Sequence, residues 1–237
     1  MPKSFKHSGD MGDIIFSLPA IRALGGGVLY LDPKGGDGNP LMKWADKTRT
    51  RLTAASIDSL KPLLLLQPYI TDVQYWEGQP IDFDLDLFRC HVRKHNNLSD
   101  CHLAVFGLPN SERDTAWLTV PEPIRVEGKT ICISRTVRCH GNHGFWELSM
   151  PLLKPISIFL GLPKEHEIFV YTFGHDLPYH PTKDVLELAR VIAGMEQFVG
   201  NQCLQHALAE GMKKNLINEV YPLHPAAVFT RDGAKYV

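Results

Sequence analysis

A chain of 237 residues, 44% of them hydrophobic, is long enough to bury a core and fits one large domain or two small ones. Its 25 Lys and Arg nearly balance 26 Asp and Glu, and the formal charge of −1 leaves no basic footprint for non-specific nucleic-acid or membrane-surface binding. No apolar run of about 18 residues is present, and Met-Pro-Lys-Ser at the start lacks the apolar core of a signal peptide, so a soluble, cytoplasmic protein is expected.

Residues 2–7 are just long enough for a first strand, and Gly9 and Gly12 follow it in a turn that opens an apolar run. Ile14, Ile15, Leu18, Ile21 and Leu24 recur at helical spacing, which predicts a helix packed on a sheet. The glycines would let the backbone turn sharply and bring its N–H groups to a ligand, with Gly12 a candidate contact. Asp10 and Asp13 fall near the helix start, where a carboxylate commonly caps orphan N–H groups. The stretch Ser8-Gly9-Asp10-Met11-Gly12-Asp13-Ile14-Ile15, followed by Leu18-Pro19-Ala20, resembles the first loop of the heptosyltransferases, glycosyltransferase family 9. That resemblance implies that Asp13 is the catalytic base.

Gly25–Gly27 end this helix, and 28–31 read as a second strand. A turn-rich loop is expected over 32–40, and segment 41–54, with Lys43, Lys47, Arg49 and Arg51, reads as a solvated face rather than an anion site. A helix over 56–67 would turn Ile57, Leu60, Leu63 and Leu64 inward and stop at Pro68, with a strand over 71–76 after it. Residues 81–88 alternate apolar with acidic residues, which predicts a strand whose Asp82, Asp84 and Asp86 share one solvated side rather than a cation cage. A helix is expected over 88–107, ending in Phe106-Gly-Leu-Pro109, which resembles a helix terminus of the same family.

Five scattered cysteines without a Cys-x-x-Cys pattern predict reduced thiols. Cys90-His91, Cys101-His102 and Cys139-His140 invite a zinc reading. On one helix, however, the first two pairs would lie roughly 16 Å apart, too far for one tetrahedral ion, and no metal site is expected. A short strand is expected at 117–120, and the Pro/Gly/charge-rich 121–128 has the composition of a linker. The boundary placed there divides the chain into 1–124 and 125–237.

The second half restarts the pattern with a buried-type strand at 130–134 and a polar loop, 135–144, at its carboxyl end, where open α/β sheets bind ligands. Arg135, Arg138, His140 and His143 gather there, and guanidinium groups are natural partners of phosphate, although ordinary surface charge accounts equally well for both arginines. A helix from Phe145, a strand over 155–160, a helix opened by Pro163 and an amphipathic helix over 181–192 are expected next. Residues 196–211 then read as a short strand, a Gly-Asn turn and a helix. They resemble the family's C-terminal signature, apolar-Gly-Asn-Asp-Ser-Gly-x-x-His, with Gln202-Cys203 in place of Asp-Ser, no following Gly, and His206 one residue early. The resemblance implies that Gly200, Asn201, Gln202, Cys203 and His206, with Arg135 and Arg138, hold the pyrophosphate of a nucleotide-sugar. On the residues alone, a turn Asn, a buried small Cys and a packed His are the commoner readings of these positions.

Taken over both halves, the resemblance implies an α/β chain of GT-B type, short for that fold, with two Rossmann-like domains facing across a cleft. The acceptor would sit on the N-terminal half and the nucleotide-sugar on the C-terminal half. The implied reaction is metal-independent, inverting transfer from a nucleoside-diphosphate-sugar to a glycan or other hydroxyl-bearing acceptor, with no further cofactor. A non-catalytic nucleotide- or sugar-binding module of the same shape, or another Rossmann-type enzyme on a nucleotide, are the alternatives. The missing N-terminal Gly-x-Gly-x-x-Gly argues against a dinucleotide oxidoreductase.

Overall fold

A computed structural model describes residues 2–33, 52–92, 97–223 and 226–237. The chain divides into two compact units, Met1–Thr119 and Val120–Val237. Each is an α/β layer structure around one parallel sheet.

In the first unit, β1 (Lys3–His7), α1 (Met11–Ala23), β2 (Gly27–Leu31), α2 (Ala54–Leu64), β3 (Ile70–Tyr75) and β4 (Phe83–Asp84) follow in order. The sheet runs β3-β2-β1-β4 with every pair parallel. The chain winds outward from β1 through β2 and β3 and then crosses to the other side of β1, so the strand order reverses between β1 and β4. Such a reversal opens a crevice at the carboxyl ends of the strands. The predicted apolar stripes fill the core: Ile14, Ile15, Leu18 and Ile21 of α1 and Ile57, Leu60, Leu63 and Leu64 of α2 are all buried. The glycine run after α1 has a steric cause as well, since a Cβ on Gly26 (φ 72°) would lie 2.2 Å from the Tyr69 carbonyl oxygen.

Three expectations for this unit are corrected. The alternating 81–88 segment is a strand only over Phe83–Asp84, after which a 3₁₀ turn (Leu85–Cys90) bends the chain and carries Asp86 into the interior. No single helix covers 88–107: the 3₁₀ turn ends at Cys90, and α3 (Leu98–Val105) starts behind its own cap, where Asn97 accepts from the Asp100 N–H at 2.8 Å. Residues 117–120 form no strand, although the Trp117 side chain is buried and its carbonyl accepts from the Tyr69 hydroxyl. Of the loop expected over 32–40, residues 34–40 lie outside the described residues, as do the basic residues Lys43, Lys47, Arg49 and Arg51.

The second unit contains β5 (Ile131–Ser134), α4 (His143–Leu153), β6 (Ser157–Phe159), α5 (Pro163–Phe173), α6 (Val185–Gly194), β7 (Gln197–Asn201), α7 (Leu204–Gly211), β8 (Asn215–Glu219) and β9 (Ala234–Tyr236). Its parallel sheet runs β6-β5-β7-β8-β9, so the order reverses between β5 and β7. Trp146, Met150, Phe159 and Phe169 pack with Ile131, Ile133 and Val199, with Trp146 edge-on to Phe169 at 5.4 Å. Pro163 opens α5 and Gly174, in the left-handed region at φ 67°, closes it. Segment 121–128 is tied down rather than loose: the Ile124 N–H donates to the Arg190 carbonyl at 2.9 Å, and Arg190 Nε donates to the Pro121 carbonyl at 3.2 Å.

Candidate functional site

Each sheet reversal is bordered by one of the strand–turn–helix segments singled out above. In the first unit, His7 ends β1, Ser8–Asp10 form the turn, and Asp13 stands on the first turn of α1. The turn's amides do not face outward. Ser8 N–H donates to Asp86 Oδ1 at 3.0 Å, Gly9 N–H to His7 Nδ1 at 2.8 Å, and Asp10 N–H to Asp13 Oδ2 at 3.2 Å. Three consecutive donors are thus spent on the protein, which corrects the expectation that this turn cradles a ligand with its backbone. Gly9 has no room for a side chain, because a Cβ would sit 2.6 Å from His7 Cε1 and 2.7 Å from Asp13 Oδ2. Asp13 and Gly12 are both half-buried.

Asp86, which pattern reasoning placed on a solvated edge, is the hub beneath this turn. Its carboxylate also accepts from Ser8 Oγ at 2.6 Å, Lys6 Nζ at 2.8 Å and Arg89 Nη1 at 2.5 Å. Burial alone would raise its pKa. With His7 neutral, the Arg89 guanidinium and the hydrogen bonds from Lys6 and Ser8 hold it well below the usual carboxylate range. Burial pushes His7 down to about 3, so the ring is neutral and its Nδ1 is free to accept. His7 packs in a ring cluster with His102 at 5.2 Å and Phe88 at 5.6 Å.

In the second unit, Asn201 is fully buried and holds the loop after β5: its Oδ1 accepts from the Thr136 N–H at 3.0 Å, and its Nδ2 donates to the Arg138 carbonyl at 2.5 Å. Gly200 lies against its neighbours, a Cβ there being 2.4 Å from Phe198 Cζ and 2.5 Å from the Ser134 carbonyl oxygen. The side chain of Arg138 is exposed. That of Arg135 is not. It is 5% exposed and pairs side-on with Glu219, Nε to Oε2 at 2.8 Å and Nη2 to Oε1 at 3.1 Å, over the rings of Trp146 and Phe173. Glu219 further accepts from the Gly141 and Asn142 N–H groups at 2.8 and 3.0 Å and from Trp146 Nε1 at 2.7 Å. Burial opposes the charge on Glu219, but the hydrogen bonds from Arg135, the Asn142 N–H and Trp146 outweigh it and bring its pKa down to about 2. Arg135 therefore positions the 135–142 loop from inside instead of offering its guanidinium at the loop surface.

His206 is corrected too. It is fully buried on α7 with its ring 6.4 Å from both Phe198 and Phe229, and burial pushes it down to about 3, so it is an interior residue rather than a ligand contact. Gln202 and Cys203 are half-buried at the start of α7, where burial raises the Cys203 thiol to about 12. His140 donates from Nε2 to the Thr136 carbonyl at 2.6 Å, if that nitrogen carries the proton, and His143 opens α4. Among the described residues no cysteine is in a disulfide, and no group of three or more His, Cys, Asp or Glu side chains is placed to hold a metal ion. No described helix is long and apolar enough to cross a membrane.

No protein-family model matches the sequence, and no curated protein matches it. Solved structures do. The crystal structure of a family 9 glycosyl transferase from Veillonella parvula is 9% identical with a TM-score of 0.61, over 99% of this chain and 84% of that one. The fold is that of glycosyltransferase family 9. E. coli heptosyltransferase WaaC with ADP-2-deoxy-2-fluoro heptose shares the fold at 13% identity and a TM-score of 0.51, over 100% of this chain and 93% of that one. The dodecameric iron-containing heptosyltransferase TibC of enterotoxigenic E. coli, in complex with ADP-D-beta-D-heptose, does so at 11% identity and a TM-score of 0.60, over 98% and 61%. Asp86 in the first unit and Glu219 in the second, each the hub of its own unit's loop, are not marked by the sequence pattern. Only the acidic alternation around Asp86 carried any signal.

Proposed function

We propose that this protein is a glycosyltransferase that moves a sugar from a nucleoside-diphosphate-sugar to an acceptor hydroxyl. The observation that carries the reading is the family 9 fold along 99% of the chain, with Asp13 half-buried beside the first sheet's reversal and Gly200-Asn201 beside the second's. Two of the similar structures hold ADP-heptose or its fluoro analogue, which supports an ADP-heptose-like donor.

Asp13 takes the proton of the acceptor hydroxyl as its oxygen attacks the anomeric carbon. The bond from that carbon to the diphosphate oxygen breaks, the diphosphate leaves with the electron pair, and the configuration inverts. Arg138 and the N–H groups that open α7, beside Gln202 and Cys203, stabilise the charge on the departing diphosphate, and no metal is needed. Gly200 and Asn201 hold the loop that presents Arg138, and Gly12 keeps the α1 start open to the acceptor. Arg135 acts through that loop. A non-catalytic nucleotide-binding module is the second reading, favoured by Gln202-Cys203 in place of Asp-Ser and by the inward commitment of Arg135 and Asn201.

The test is ADP release from ADP-heptose with a panel of hydroxyl-bearing glycans. Asp13→Asn keeps a side-chain acceptor for the Asp10 N–H but loses basicity, so it is expected to melt like the parent, to bind ADP, and to transfer at least about a hundredfold more slowly. Transfer at the parental rate would refute the role of Asp13. Tight ADP binding without release from the parent would favour the module.

A further inference from the structure

We infer that Asp86 and His7 are positioning residues that set the place of the Asp13 carboxylate by capturing the Ser8 and Gly9 N–H groups from beneath the turn. The consequence for rate rests on Asp13 being the base, whereas the positioning itself does not. Three successive amides each meet an acceptor, Asp86 Oδ1, His7 Nδ1 and Asp13 Oδ2, at 3.0, 2.8 and 3.2 Å. The first two acceptors belong to side chains that are 1% and 0% exposed, so the turn is pinned to the core, and the third is the carboxylate under discussion. Asp13 is thereby the last link of a chain anchored in the interior.

The chemistry of both anchors suits the task. An ionised carboxylate offers about four acceptor directions, and four donors fill them on Asp86: Ser8 N, Ser8 Oγ, Lys6 Nζ and Arg89 Nη1. Lys6 and Arg89 would suffice to pair its charge. The two bonds to Ser8 are what tie that charge to the turn. A neutral imidazole accepts at one nitrogen only, and the Gly9 bond assigns that nitrogen to Nδ1 and the proton to Nε2. The absence of a side chain at Gly9 lets the His7 ring and the Asp13 carboxylate approach the same Cα from two sides.

The experiment compares His7→Leu, which removes the acceptor, with His7→Asn, whose Oδ1 falls near the Nδ1 position, and with Asp86→Asn. Each is made in the full chain and checked for folding by circular dichroism. Amide hydrogen exchange at Ser8, Gly9 and Asp10 is read by NMR, and ADP release from ADP-heptose is read alongside it. His7→Leu and Asp86→Asn should speed exchange at Gly9 and Ser8 respectively, and should lower kcat by about tenfold to a hundredfold, the scale of a small misplacement of a reacting group, with the donor KM unchanged. His7→Asn should restore both toward the parent. Unchanged Gly9 and Ser8 exchange in folded variants, or no rescue by His7→Asn, overturns the inference. Should His7→Leu fail to fold, the Asp86→Asn and His7→Asn pair decides. Altered exchange in the variants, with Asp13→Asn transferring sugar at the parental rate, would leave the positioning standing and remove the base assignment.

Discussion

Replacing Glu219 by Gln should destabilise the second unit by about 3–5 kcal/mol, the usual cost of removing one partner from a buried ion pair. The side chain is unexposed and accepts five hydrogen bonds, three on Oε1 and two on Oε2. A Gln that keeps its oxygen toward the Gly141 and Asn142 amides turns an NH₂ toward Arg135 Nε and Trp146 Nε1. That sets donor against donor and leaves the Arg135 charge uncompensated in the interior. Linkage gives a consistent size: a carboxyl held at about 2 instead of its ordinary 4.5 contributes on the order of 3 kcal/mol at neutral pH, at about 1.4 kcal/mol per pH unit of separation. Because the folded value is depressed, this stability is complete above pH 4.5 and is lost as the pH falls toward 2. Equilibrium urea unfolding, followed by Trp fluorescence and far-UV circular dichroism for Glu219→Gln, Arg135→Met and the double variant, measures it. The double variant should cost much less than the sum, since removing both charges leaves neither one stranded. A cost under about 1 kcal/mol for Glu219→Gln, or strict additivity, would show that the pair is not the anchor of the 135–142 loop.

Two further outcomes are expected. Burial holds His7 and His206 near 3, against 6.5 when unfolded, so the unfolded chain takes up protons first and stability falls as the pH drops from about 6.5 toward 3, by up to about 1.4 kcal/mol per pH unit for each ring. Urea midpoints that stay flat between pH 7 and 4.5 would contradict this. Gly200→Ala forces a Cβ to within 2.5 Å of the Ser134 carbonyl oxygen, and overpacking of that kind should cost about 1–3 kcal/mol and lower the melting temperature, whereas an unchanged melt would mean the strands part easily there.

The elements that could be read from sequence are those whose signal is local. The glycines flanking α1, the i, i+3, i+7 spacing of Ile57, Leu60 and Leu64, and Pro163 at the first turn of α5 all act within a few residues, whereas Gly200-Asn201, read as a turn, are the last two residues of β7. What escaped depends on partners far along the chain. Alternation over 81–88 says nothing of the bend after Asp84 that turns Asp86 inward toward Lys6, a residue 80 positions earlier. The guanidinium of Arg135 has a surface-like neighbourhood in sequence, and its carboxylate lies 84 residues away on β8. His206 carried the family's histidine by resemblance, yet its helix face is set by Phe198 and Phe229, which sequence spacing alone does not bring together. The continuous helix expected over 88–107 failed at Asn97, whose Asn-x-x-Asp spacing was a readable cap signal.

The pairing of β1 with β4 also has a kinetic side. Phe5 meets Phe83 in register, and the bonds from Ser8 to Asp86 close a loop of 78 residues, so the first-formed part of the chain waits for a much later part before its turn is held. Contacts of such separation are repaid only after their loop-closure entropy has been met, which places them after the local α1 and β2 contacts in time. On a ribosome adding roughly 5–20 residues per second, several seconds pass between the synthesis of the Ser8 turn and that of the carboxylate that holds it. A nascent chain stalled before Asp86 would therefore carry Asp13 on a formed helix but on an unanchored turn.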